Sequence, residues 1–138
     1  MRKANYDKFP STKLTGMLVQ GWDSIISMLK KKMDARKVLA VDLYTGVYEE
    51  EVLDAFSKEF SGRVMNVRDL MKPEKEIQTL TERFMTEDVL FGYVTNLKLE
   101  DYLDADKVAA ARKQISEAKD AIVIIGTGAS VAVSYTHL

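Results

Sequence analysis

Three short stretches of this 138-residue chain carry residue types and spacings that could do chemistry. The first is AIVIIGTGAS (121–130), where five apolar residues run into Gly126 and Gly128, with Ser130 just beyond. Glycines so placed let the chain turn sharply, or let a phosphate approach main-chain N–H groups. The dinucleotide fingerprint needs a third glycine, a following helix and an acidic residue about 20 positions later. The end of a buried strand accounts for both glycines without a ligand. The second stretch, Asp42 to Glu49, holds one glycine, Gly46, and leads into Glu49, Glu50 and Glu51. A phosphate loop needs several glycines and a Lys followed by Ser or Thr, and carboxylates at a helix start suit the dipole but repel phosphate. The third, Asn66-Val67-Arg68-Asp69, pairs an acid able to hold Mg²⁺ or take a proton with an Arg able to meet a phosphate. A loop salt bridge or a helix cap is the alternative there. Asp101 and Asp104, flanking Tyr102, read either as paired carboxylates or as residues of a helix start. Candidate ligand-binding residues are therefore Gly46, Asp69, Gly126, Gly128 and Ser130; no catalytic residue and no metal ligand is assigned, and the single histidine, His137, lacks companions for a metal site.

Composition limits the partners. Hydrophobic residues make up 46% and charged residues 30%, as in an ordinary folded domain. Twenty Lys and Arg against 21 Asp and Glu leave a net charge of −1, which gives nucleic acid no electrostatic footing. The absence of cysteine fits a reducing cytosol. Two early basic residues are followed by no apolar signal core, and no run approaches the roughly 20 apolar residues of a membrane span. The expectation is a cytoplasmic protein with neither nucleic acid nor membrane as partner.

The elements that must position these loops follow from periodicity. Residues 1–20 read as an N-terminal arm with one short strand at 14–19. Trp22, Ile25, Ile26, Leu29 and Met33 form one apolar stripe of a helix, closed by Lys30, Lys31 and Lys32 at the pole that favours cations. Residues 37–43 read as a buried strand and 48–60 as a helix facing inward through Val52, Leu53, Phe56 and Phe60. Residues 63–67 read as a third strand. Pro73 opens a helix with Ile77, Leu80 and Phe84 inward, and 89–94 (VLFGYV) is a strand or an irregular buried segment. Asp104 caps a helix over 105–118 whose inner residues are Val108, Ala111 and Ile115. Strands alternating with helices give an α/β fold, a mainly parallel sheet flanked by helices.

Several segments carry a resemblance. RKANYDKFP, QGWDSI, VDLYTGVYEEEVLDAF, FGYVTNLKLEDYLD and IVIIGTGAS resemble the N-terminal region of bacterial, Bacteroidetes-type class I mannose-6-phosphate isomerase-like cupin proteins. In that family the isomerase chemistry belongs to a downstream cupin barrel that binds zinc, so the resemblance implies no cofactor in this portion. The region also resembles a P-loop nucleoside kinase core. By that likeness 37–43 stands for the strand before the phosphate loop, 63–69 for the strand with the substrate-side acid and 121–125 for a later parallel strand. Thr45-Gly46-Val47-Tyr48 stands where Gly-Lys-Ser or Gly-Lys-Thr would be needed. Without that lysine the positioning and charge stabilisation of phosphoryl transfer are missing.

The resemblance implies a P-loop NTPase-like, truncated α/β domain over 21–130, acting as a non-catalytic accessory domain of a sugar-phosphate isomerase, with the cupin domain as partner. A degenerate nucleoside-kinase-like domain binding a nucleotide or phosphosugar is the alternative, and a protein-interaction module is a third. The last residues, VSYTHL, resemble one reading frame of a transposase mosaic-end sequencing adapter. Residues 131–138 are accordingly expected to be a non-native tail, and a genomic stop codon directly after Leu138 would refute that.

Overall fold

The computed structural model describes residues 9–13, 15–33 and 37–133. Its regular elements are α1 (Trp22–Lys32), β1 (Val38–Asp42), α2 (Glu49–Glu59), β2 (Arg63–Asn66), α3 (Glu74–Glu82), α4 (Ala105–Glu117), β3 (Ile122–Gly126) and α5 (Ala129–Ala132). Two 3₁₀ turns, Val67–Leu70 and Leu99–Tyr102, stand between them.

The run Ile122-Val123-Ile124-Ile125 is β-branched throughout, which favours an extended backbone with packed faces. It becomes the central strand of a three-stranded parallel sheet in the order β1-β3-β2. Val38 pairs with Ile122 and Asp42 with Gly126 on one side; Arg63 pairs with Ile122 and Asn66 with Ile125 on the other. Because side chains alternate along a strand, β3 serves both faces. Val123 and Ile125 pack with Ile26 of α1 and with Val52, Ala55, Phe56 and Phe60. Ile122 and Ile124 pack with Val67, Leu70, Leu103, Val108, Ala111, Ala129 and Ala132. All five residues of β3 are buried, and this strand is where the two cores meet.

Helix positions follow from the apolar stripes. Phe56 on α2 and Phe60, the residue just past its end, bring their rings to 6.3 Å at a tilt of 54°. Burying each such side chain contributes about 1.5–3 kcal/mol. Lys30 Nζ donates to the Glu59 carbonyl, so the lysine cluster fastens the end of α1 to the end of α2. Asp104 Oδ1 accepts from the Asp106 and Lys107 amides, both at 3.0 Å, and begins α4. The far end of α5 is held by Arg112, whose Nη2 and Nε donate to the carbonyls of Val131 and Ala132 at 2.9 and 3.3 Å.

Several expectations change. The strand expected at 14–19 is absent over 15–19, where Gly16 has φ +144° and Met17 and Leu18 stand exposed; Leu14 lies outside the described residues. The strand over 37–43 is a half-buried edge strand, since β1 pairs only with β3 among the described residues and leaves Ala40 and Asp42 exposed. In α3, Ile77 and Leu80 are only half-buried. The stretch 89–94 is neither strand nor buried: Asp88 Oδ1 accepts from the Leu90 and Phe91 amides and folds it into a turn. No helix among the described residues is long and apolar enough to cross a membrane. Of the tail, Val131 and Ala132 lie in α5, with Ala132 fully buried, and 134–138 lie outside the described residues.

Candidate functional site

In a parallel sheet with helical crossovers, ligands lodge beyond the carboxyl ends of the strands. At that end of β2 and β3 the chain encloses a cavity of about 360 Å³. This falls inside the range of roughly 300–1,000 Å³ seen for small-molecule sites.

Its walls come from segments far apart in sequence. Asn66 ends β2 by accepting the Arg68 amide on Oδ1 at 2.8 Å, which curls the chain into the first 3₁₀ turn. That turn brings Val67, Arg68 and Met71 to the cavity. The second 3₁₀ turn supplies Leu99 and Tyr102, with Leu103 just after. The two segments are laced together: Met71 and Leu103 form an antiparallel bridge, the Lys72 amide donates to the Tyr102 carbonyl at 3.0 Å, and the Asp104 amide donates to the Leu70 carbonyl at 2.9 Å. Lys72 Nζ adds a bond to the Asp101 carbonyl at 2.6 Å. Gly126 and Thr127 complete the lining from the end of β3.

Charge enters from the start of α2. Glu49 lines the cavity, and its Oε2 receives Arg68 Nη2 at 3.2 Å, while Arg68 Nη1 reaches Glu50 Oε1 at 3.4 Å. The arginine side chain is 60% exposed and that of Glu49 only 22%. Glu49 Oε1 is buried and has no hydrogen-bond partner among the described residues.

The residues singled out in the sequence distribute unevenly. Gly126 lines the cavity with φ +140°, and a Cβ there would stand 2.7 Å from the Cβ of Val67. Its lack of a side chain lets β3 pack against the first 3₁₀ turn. Gly128 takes φ +83° at the start of α5 with Leu99 nearby. Ser130 is turned elsewhere: its amide donates to Asp42 Oδ2 at 3.1 Å. Thr127 Oγ1 donates to the Leu43 carbonyl at 3.1 Å, tying the glycine turn to the end of β1. Gly46, at φ +94° in an exposed turn, and Asp69, exposed in the first 3₁₀ turn, lie outside the cavity lining. Asp101 accepts the Lys98 amide at 2.8 Å and Asp104 caps α4, so both serve backbone turns.

Sequence reasoning missed Glu49 paired to Arg68, Asp42 paired to the Ser130 amide, and the apolar wall of Met71, Leu99 and Leu103. Asn66, an acceptor two residues before Arg68, was the one local sign of the turn that aims the arginine. Among the described residues no three His, Cys, Asp or Glu side chains converge to hold a metal.

Comparison with known proteins adds one relationship. No curated protein and no solved structure matches the chain. Residues 21–138 match a family described as a domain of unknown function, DUF8485, and the chain belongs to that family.

Proposed function

We propose that this is a non-catalytic accessory domain that docks on a catalytic partner domain, and that the partner is the zinc-binding cupin barrel of a mannose-6-phosphate isomerase-like protein. The observation that carries the non-catalytic reading is the placement of the chain's own carboxylates. At the two loops where a bound nucleotide or phosphosugar would need free N–H groups, Asp42 accepts the Ser130 amide at the start of α5, and Glu49, Glu50 and Glu51 occupy the first turn of α2. An incoming phosphate would meet negative charge at both places. The kinase-like relationship is supported by three parallel strands at the three places the resemblance assigns, but the loop after β1 offers one glycine and no lysine.

Docking is supported by the exposed apolar stretch between α3 and α4. Val89 and Val94 are each 97% exposed, and Leu90, Phe91 and Tyr93 are 71% or more. Five large apolar side chains exposed within six positions are what an interaction site presents. Expressing the parent gene with and without residues 1–130 tests the proposal. Removal is expected to lower isomerase activity, zinc content or thermal stability of the barrel, and no change in any of the three overturns the reading.

A further inference from the structure

The cavity beside Glu49 has a chemistry that protein docking does not use. Its walls are mostly apolar, from Val67, Met71, Leu99 and Leu103, with one aromatic ring, Tyr102. The charged groups at its mouth are Glu49, which lines it, Glu50, and the Arg68 that bonds to both, two carboxylates to one guanidinium. Glu49 gives Oε2 to Arg68, and its Oε1 is buried with no hydrogen-bond partner among the described residues, so the carboxylate keeps acceptor capacity for a further donor. The guanidinium that shields it belongs to a side chain mostly in solvent, and an exposed ion pair of that kind is held weakly.

We propose that this cavity binds a small organic cation, an amine or amidine carried on an apolar ring. The ring lies against Met71, Leu99 and Leu103. The cationic head takes the place of Arg68 on the Glu49 carboxylate and frees the arginine into solvent. A phosphorylated ligand is disfavoured by the Glu49 and Glu50 carboxylates, and a neutral ring gives up the charge-assisted bond.

Calorimetric titration of the full chain with benzamidine, benzyl alcohol and inorganic phosphate tests this. Benzamidine is expected to bind saturably, benzyl alcohol at least about tenfold more weakly, and phosphate not at all, because a hydrogen bond to a charged group is the discriminating term. Glu49→Gln is expected to weaken benzamidine by about tenfold or more, Arg68→Gln to tighten it by removing the internal competitor, and the remote Glu117→Gln to leave it unchanged. Equal binding of benzyl alcohol, saturable phosphate, or no saturation by benzamidine overturns the proposal. Should Glu49→Gln fail to fold, the affinity of Arg68→Gln decides, and an unchanged value overturns it. N-acetyl-arginine amide binding more tightly than benzamidine overturns the free-ligand form and points to an arginine of a partner chain.

Discussion

The carboxylate of Asp42 accepts the amide of Ser130 at 3.1 Å and so caps a helix that lies 88 positions further along the chain. Asp42 is the last residue of β1 and is paired in register with Gly126, so the strand ladder itself delivers the carboxylate to the first turn of α5. An N-terminal cap is ordinarily local, from the residue just before the helix. Here Gly128 holds that place and offers no side chain, and the edge strand supplies the acceptor instead.

Asp42→Ala is therefore expected to destabilise the fold by about 1 kcal/mol, the usual cost of losing a capping acceptor. Asp42→Asn keeps an acceptor oxygen and is expected to lose less. Urea unfolding of the two variants checks the order; equal stability of Asp42→Ala and the parent protein would show that the cap contributes nothing.

Gly126 and Gly46 both have positive φ, and they separate backbone strain from crowding. At Gly46 a Cβ meets nothing within 4 Å, so Gly46→Ala carries only the conformational penalty, about 1–2 kcal/mol. At Gly126 the added carbon lies 2.7 Å from the Cβ of buried Val67, and overpacking of that kind adds about 1–3 kcal/mol. Gly126→Ala is expected to be clearly the less stable of the two in thermal unfolding. It should also disturb the cavity, because Val67 and Gly126 both line it.

The parts of this fold that could be read from sequence are those whose signal is local. The unbroken apolar run of β3 announces a strand covered on both faces, and the stripes of α1, α2 and α4 name their inner residues. Asp104 is recognisable as a cap from its position alone. Strand rank within the sheet is not local: Val38–Asp42 is nearly as apolar as Ile122–Gly126, yet it lies at an edge because β3 pairs on both sides and β1 on one. VLFGYV has strand-like residues, but Asp88 captures two amides that a ladder would need. The cavity was the least legible feature. Glu49 and Arg68 are 19 residues apart in different elements, and only the crossover from β1 to β2 brings them together.

Arg112 closes α5 from the other end. Its two donated bonds, to the carbonyls of Val131 and Ala132, place a cation where the helix dipole is negative. Arg112→Met keeps much of the apolar stem and removes the donors. It is expected to cost about 1 kcal/mol and to raise hydrogen exchange at the amides of Val131–Val133, while the amides of Val123 and Ile124 in β3 keep their protection. Uniform loss of protection across both elements would mean that the arginine supports the whole fold rather than this helix.

Phe91 and Tyr93 separate a docking face from a folding one. Both rings are more than 70% exposed, and the turn that carries them is held by main-chain groups: Asp88 Oδ1 accepts the Phe91 amide at 3.0 Å, and the Tyr93 amide donates to the Phe84 carbonyl at 2.8 Å. Replacing both rings by serine leaves those bonds available. The double variant Phe91→Ser/Tyr93→Ser is thus expected to unfold within about 0.5 kcal/mol of the parent protein, as surface changes do. If the stretch is where the cupin domain sits, the same change removes two aromatic anchors from the interface. Association between the separately purified domains, followed by calorimetry, should then weaken by about tenfold or more, since truncating an anchor residue commonly costs at least 2 kcal/mol. Undiminished association in a fully folded variant would detach the apolar stretch from docking and leave the partner domain to another surface.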